Sequence, residues 1–267
     1  MIVETIRAAD LILAIGFDPV ECDKTWFADV EIVALDSASM AEGRYKPLEA
    51  IGDIASLIAA IQPQPKPWPS ELLDQRRKAI CRRPKDGLSP LRLIEELRSV
   101  FPRDGIATCD VGSHKLLMGQ FWRAYEPGTF FMSNGLSGMG FGLPAAIAAQ
   151  LSAPAKSVLA VVGDGGMLMM LHDLALIREL KLPLIVVVLS DSSLSLIRLS
   201  AERRKFPPYG VDFQAPDFAA IAEAFGIAGA RASTIGQLRQ TVEQALTERR
   251  AIVIDVPIDY REYYELI

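Results

Sequence analysis

Val158-Leu-Ala-Val-Val-Gly-Asp-Gly-Gly166 is an apolar run that breaks into a glycine turn around one carboxylate. The run has strand length without polar alternation, the pattern of a strand buried on both faces. Met167 to Leu180 continues with helical spacing. Pro183-Leu-Ile-Val-Val-Val-Leu189 is a second buried strand, ending in Ser190-Asp191-Ser192-Ser193. Strand, tight turn, helix and strand make a βαβ unit. Such folds place ligands beyond the carboxyl ends of their strands. Asp164 and Asp191 each stand just past a strand end, so neighbouring strands would bring both carboxylates to one crevice. Two hard oxygen ligands beside Gly-Gly amides and a helix N-terminus suit a Mg²⁺-diphosphate.

The turn matches neither common nucleotide fingerprint. No Gly-x-x-x-x-Gly-Lys-Ser/Thr occurs, and no Gly-x-Gly-x-x-Gly follows a strand. Composition narrows the partners. The chain has 267 residues, half of them apolar, and a net charge of -5 without a large basic block. That length allows one large or two ordinary domains, and the charge argues against nucleic acid. Cys22, Cys81 and Cys109 are odd in number and share no metal spacing, as expected of reduced thiols in a cytoplasmic protein. No signal peptide and no bilayer-length apolar run is read, so no membrane partner is expected.

Outward from the central unit, helices and strands alternate. The expected order is a helix tail over 2–9, strands Leu11–Ile15 and Glu31–Leu35, and a helix Gly52–Ala60. Asp36, after the second strand, resembles a ribose-binding carboxylate but lacks the glycine fingerprint, so it reads as a strand-end or capping residue. Two strands make a poor sheet on their own, so residues 1–61 read as the remnant of a larger α/β domain. Gln62-Pro-Gln-Pro-Lys-Pro-Trp-Pro69 places a proline at every second position, which excludes helix and sheet. Residues 62–86 read as a linker carrying a surface helix over Ser70–Arg83. Residues 87–267 then begin with Ser89 as N-cap and Pro90 at the first helical position. Strands are expected at Ile106–Cys109, Thr129–Met132, Ile227–Arg231 and Ala251–Pro257, with helices Ala145–Gln150, Pro216–Gly226 and Thr234–Arg249 between them. The fold class is α/β, a doubly wound parallel sheet.

Gly-Asp-Gly followed by a polar strand end at Asp191 resembles the thiamine diphosphate motif of the acetolactate synthase and pyruvate oxidase superfamily. Asp110-Val-Gly-Ser-His114 is similar to the family's cofactor-contacting Asp-Val-Gly-x-His. Ser133 to Pro144 is similar to its Gly-Leu-Gly-x-Met-Gly-Tyr-Gly-Leu-Pro turn. Ala14–Glu21, Val211–Phe213 and Ile254–Tyr260 resemble the catabolic, flavin-independent acetolactate synthases. The resemblance runs from about residue 8 to 260. It implies a diphosphate-binding domain over 87–267 that uses thiamine diphosphate and Mg²⁺. Asp164, Asp191 and the Ser193 carbonyl would hold the metal, with Asp191 standing where the family usually has asparagine. Gly165 and Gly166 would cradle the diphosphate. Val111, Gly112, Ser113 and His114 would contact the cofactor, with Ser137 and Gly138 near its ring and Met139 propping it into a bent shape. Residues 194–205 would line the substrate pocket, where Leu194, Leu196, Ile197 and Arg198 suit a small 2-oxo acid no better than several alternatives. His172 is read as structural, and Met167–Met170 as core.

The same resemblance implies decarboxylation of pyruvate, or another 2-oxo acid, and carboligation to a second one. It implies sites between subunits of a homodimer or homotetramer. The family's activating glutamate comes from a pyrimidine-binding domain, and no segment of these 267 residues looks like one. No catalytic residue is therefore expected here, and no turnover by this chain alone. It would be a truncated gene product or one half of a split enzyme, paired with a chain that bears the pyrimidine domain. Three readings stay open beside it: a non-catalytic binding or interaction module, another thiamine diphosphate-dependent 2-oxo acid decarboxylase, and an unrelated NAD(P)- or FAD-binding protein. The last predicts a glycine fingerprint that Ile15-Gly-Phe-Asp lacks.

Overall fold

The computed structural model describes residues 2–19, 30–41, 43, 45–62, 71 and 87–266. Pro63, Pro65, Pro67 and Pro69, all but Glu71 of the helix expected over Ser70–Arg83, and Cys22 and Cys81 lie outside them. The chain divides into two compact units, Met1–Arg82 and Arg83–Ile267.

The first unit holds α1 (Ile2–Arg7), β1 (Ile12–Ile15), β2 (Ile32–Asp36), β3 (Leu48–Ile51) and α2 (Ile54–Ala60). Its sheet has three parallel strands in the order β1-β2-β3, not the two expected. The strand missed, Leu-Glu-Ala-Ile, carries a mid-strand glutamate, which strands disfavour. Glu49 is held there because its carboxylate accepts from the Ser39 hydroxyl (2.7 Å) and the Met40 amide (2.8 Å). Asp36 behaves as a strand-end residue and accepts from the Ser37 amide at 2.7 Å. Asp53 caps α2 by accepting from the Ser56 amide at 2.9 Å.

The second unit is the doubly wound sheet. Its strands are β4 (Ile106–Cys109), β5 (Phe130–Met132), β6 (Val158–Gly163), β7 (Leu184–Ser190), β8 (Ala228–Arg231) and β9 (Ile252–Pro257). They run in the order β5-β4-β6-β7-β9-β8, every pair parallel. The helices are α3 (Pro90–Val100), α4 (Ser113–Phe121), α5 (Gly142–Ser152), α6 (Asp164–Met169), α7 (Asp173–Glu179), α8 (Ser195–Arg203), α9 (Phe218–Ala224), α10 (Ile235–Glu248) and α11 (Tyr263–Leu266), the last after a 3₁₀ turn at Tyr260–Glu262. The inner strands are buried on both faces because their side chains alternate between two cores. Leu159 and Val161 join Leu93, Ile94 and Leu97 of α3 and Leu238 and Val242 of α10. Val158, Ala160 and Val162 join Leu143 of α5, Leu174 of α7 and Phe218 of α9. Each such side chain contributes roughly 1.5–3 kcal/mol on burial.

The helix expected over Met167–Leu180 is two helices, α6 and α7, which break at Met170–His172. Met167 and Met170 are core, as read, whereas Leu168 and Met169 are exposed. His172 has no core role. Its side chain is exposed at the break, 3.5 Å from Asp173.

The sheet order fixes where a ligand can go. From β4 the chain moves outward to β5, then crosses back to β6 on the other side of β4. That reversal opens a crevice at the carboxyl ends of β4 and β6, where doubly wound folds bind ligands.

Candidate functional site

Three strand ends build the site. Asp110 follows β4, Asp164 follows β6 and Asp191 follows β7; Cys109 pairs with Val161, and Gly163 with Leu189. Asp110 is buried, and its carboxylate accepts from the amides of Gly140 (3.0 Å), Phe141 (2.9 Å) and Gly142 (3.1 Å). One carboxylate thus pins the glycine-rich turn to the end of β4. The turn's Ser137 is left-handed, at φ +48°, and its hydroxyl accepts from Lys115 at 2.9 Å.

Asp164 is 3% exposed and satisfied by backbone amides. Its Oδ1 accepts from Gly165 at 2.8 Å, and its Oδ2 accepts from Ser192 at 2.6 Å and Asp191 at 3.0 Å. Ser192 sits at φ +58°, a left-handed turn that brings consecutive amides onto this carboxylate. Asp191 accepts from the Ser193 amide at 3.0 Å. Burial raises the pKa of Asp164 against these amide bonds. Burial first, and then the charge of Asp164, push Asp191 up to about 7, while hydrogen bonds from Ser195 and Ser193 oppose the shift. No cation stands among the causes of either shift. Two crowded carboxylates without a basic neighbour are what a divalent cation would neutralise. No group of three His, Cys, Asp or Glu side chains converges among the described residues. A metal here would therefore draw on two carboxylates plus main-chain oxygen.

These groups open onto one cavity of about 280 Å³, near the lower end for ligand pockets. Eleven of the twelve expected site residues line it: Val111, Gly112, Ser113, His114, Ser137, Met139, Asp164, Gly165, Gly166, Asp191 and Ser193. Gly138 does not. It lies in the same turn, but the cavity wall runs through Ser137 and Met139. Leu194, Leu196 and Ile197 line the cavity as expected, but Arg198 does not. Its guanidinium lies behind the wall, donating to the Ser193 hydroxyl at 3.3 Å and pairing with Asp212 and Glu202 over the Tyr260 ring.

Gly166 is sterically required, and Gly165 is tightly enclosed. A Cβ on Gly165 would lie 3.0 Å from Leu194 Cδ2 and 3.3 Å from Met139 Cε. On Gly166 it would lie 2.0 Å from Asp110 Oδ2. Sequence reasoning missed Asp110 as the tie of the turn, and Tyr263 in the wall. The Asp110-x-x-Ser113 spacing before a helix was the available signal for the first. Nothing in the local sequence marked the second. Ser195 stands inside the stretch 194–205 expected to line the pocket.

His114 is 3% exposed, and its Nε2 has no partner among the described residues. Burial lowers its pKa to about 4, against the charge of Asp110 and a hydrogen bond to that residue's carbonyl. The unfolded imidazole takes up its proton near pH 6.5, the folded one only near 4, so acid favours the unfolded chain. Stability present above pH 6.5 is lost as the pH falls toward 4, by about 3 kcal/mol for this group. Urea unfolding at pH 7 and pH 4.5 measures the loss. His114→Gln is expected to shrink the difference between the two midpoints; an unchanged difference would refute the assignment.

The comparisons with known proteins meet this geometry at the same residues. Residues 110–256 match the family described as thiamine pyrophosphate enzyme, C-terminal TPP binding domain. The chain belongs to this family. The match begins at Asp110 and takes in the glycine-rich turn, Asp164 and Asp191. Over 98% of its length the chain is 33% identical to the acetolactate synthase of Bacillus subtilis. It is 28% identical to the catabolic acetolactate synthase of Raoultella terrigena over 96% of its length. It is 30% identical to the large subunit of acetolactate synthase isozyme 2 of Escherichia coli, again over 96%. In each case it covers 49% of the relative, so the chain spans about half the length of the curated relatives it matches. The first unit, outside the family match, lies within the stretch similar to acetolactate synthases. Among the described residues no helix is long and apolar enough to cross a membrane.

Proposed function

We propose that this chain binds thiamine diphosphate through Mg²⁺ as the diphosphate-binding part of an acetolactate synthase-like enzyme. The observation that carries the reading is the pair Asp164 and Asp191, set on adjacent parallel strand ends around a glycine turn, in one cavity with Met139. The donor set fits the group. Two crowded carboxylates suit a hard divalent ion, and the Ser193 carbonyl would be the third ligand. Gly166 leaves no room for a side chain and Gly165 little, so main chain faces the space where the diphosphate would lie. Val111, Gly112, Ser113, His114 and Ser137 complete the wall.

When bound, the cofactor supplies the electron sink for decarboxylating a 2-oxo acid and joining the remaining fragment to a second one. The residues of this chain bind and orient it. Leu189, Leu194, Leu196 and Ile197 exclude water from one side of the cavity, which suits a small 2-oxo acid such as pyruvate. The carboxylate that activates the cofactor's pyrimidine comes from outside these 267 residues. A partner that bears a pyrimidine-binding domain supplies it, and sites of this kind would lie between subunits. Cys109, buried and unpaired, accords with a reducing cytoplasm.

Calorimetric titration of the pure chain with thiamine diphosphate in excess Mg²⁺ tests the binding half. Saturable, Mg²⁺-dependent heat is expected; its absence would favour a degenerate, non-binding relative. Acetolactate assayed after incubation with pyruvate tests the other half. None is expected above a no-enzyme control, and its formation would show that these residues contain a complete site.

A further inference from the structure

We propose that Lys115 is a positioning residue for the cofactor: its bond to Ser137 locks the first half of the glycine-rich turn and so holds Met139 in the cavity wall. The inference rests on the function proposed above. Three residues of the turn over 133–144 are left-handed, Gly135 (φ +69°), Ser137 (φ +48°) and Gly140 (φ +92°). Glycine takes such angles freely, whereas a serine takes them at a cost that its surroundings must offset. The second half of the turn is held by Asp110, which accepts from the amides of Gly140, Phe141 and Gly142. The first half has no such anchor in its backbone. Residues 134–136 are exposed, Leu136 wholly so. Among the described residues, the hydrogen bond that ties this half to another element runs from Lys115 Nζ to Ser137 Oγ, at 2.9 Å. The single Ser137 proton faces the Ser133 carbonyl at 3.4 Å, which leaves the hydroxyl's lone pairs for the ammonium.

The place of Lys115 in α4 supports a role outside the helix. It is the third residue of α4, in the first turn, where unpaired amides make the helix end positive and a cation is unfavourable. That turn carries no acidic residue, and among the described residues no carboxylate pairs with the ammonium. The helix gains nothing from this charge. The glycine-rich turn gains a charge-assisted donor on a stem long enough to reach it. Lys115 and Asp110 thus grip the turn at Ser137 and at Gly140, on either side of Met139. Met139 Cε reaches the opposite wall, 3.3 Å from where a Cβ on Gly165 would stand. With Asp110 alone the exposed first half would open locally, and Met139 would lose its fixed place over Gly165.

Methyl-¹³C labelling of methionine in the full 267-residue chain reads Met139 directly, without cofactor or turnover. The order parameter of its methyl, which reports picosecond-to-nanosecond motion, is compared in four chains: unchanged, Lys115→Leu, Ser137→Ala and the double variant. The same four are titrated with thiamine diphosphate in excess Mg²⁺ by calorimetry. Lys115→Leu is expected to lower the Met139 order parameter and to weaken thiamine diphosphate about fivefold, the scale of one hydrogen bond. Ser137→Ala should do the same. The double variant should lose no more than either single one, because the two groups make one bond. An unchanged Met139 order parameter in Lys115→Leu overturns the lock. So does a looser Met139 that leaves the affinity as it was, or a double variant whose losses add. The titrations separate the two levels of the argument. Equal affinity in the unchanged chain and in Lys115→Leu sinks the lock alone. No heat from the unchanged chain sinks the proposed function, and the cofactor role of Lys115 with it.

Discussion

Gly166→Ala should lower the melting temperature by roughly 5–10 °C, equivalent to about 3 kcal/mol, and remove cofactor binding with it. The added methyl would stand 2.0 Å from Asp110 Oδ2, well inside contact distance. Something must move, and the choices are poor. Asp110 follows a central strand, is buried, and accepts three amides from the glycine-rich turn. Shifting its carboxylate strands those amides; shifting Gly166 displaces the first turn of α6, which carries Asp164. Either route couples a packing fault to a lost hydrogen-bond set, a combination at the high end of single-substitution effects. Gly138→Ala is the control. Nothing lies within 4 Å of its added methyl, so stability should change by less than about 1 kcal/mol. Differential scanning calorimetry of both variants decides the matter. Equal melting temperatures would mean that Asp110 can move freely and that the turn does not depend on it.

That coupling explains which parts of the site were legible in the sequence. Asp164, Gly165, Gly166 and Asp191 were legible because their signal is local: a continuous apolar strand, then a turn residue, twice over. The tie at Asp110 was hidden because its partners lie about thirty positions away and are backbone amides, which every residue type carries. The meeting of the Ser113 and Ser195 hydroxyls was hidden for the same reason at greater separation. The break between α6 and α7 was illegible because Met167, Met170, Leu174 and Ile177 keep helical spacing straight through it. Periodicity records which side chains face the core and is blind to the hydrogen bonds lost at Met170–His172. Helices α4 and α8 were missed because Ser113-His-Lys follows a glycine and Ser195-Leu-Ile begins in serine-rich loop sequence, and neither helix start carries a side-chain cap. Tyr263 reaches the cavity only because the chain folds back after β9, and no local pattern announces that return.

Asp164→Ala should cost the chain at least about 100-fold in Mg²⁺-dependent affinity for thiamine diphosphate, while its unliganded stability falls far less. The two effects separate because the carboxylate does two things. It satisfies the amides of Gly165, Asp191 and Ser192, which shapes the turn. It also places a buried charge beside Asp191, which acts against folding when no cation is present. Removing it loses the amide bonds but ends that repulsion, so the terms partly offset in the unliganded chain. With metal present nothing offsets the loss, since a hard cation gives up a charged oxygen and the turn that presents it. Asp164→Asn divides the roles. It keeps an acceptor for the amides and a neutral oxygen for the metal, and should lose roughly tenfold. Calorimetric titrations of the three chains, with Mg²⁺ and again with a chelator, provide the comparison. The order unchanged chain, Asp164→Asn, Asp164→Ala should appear with Mg²⁺ and collapse in chelator. If Asp164→Ala binds as tightly as the unchanged chain in Mg²⁺, the metal is not held at the end of β6, and the reading of the whole crevice fails.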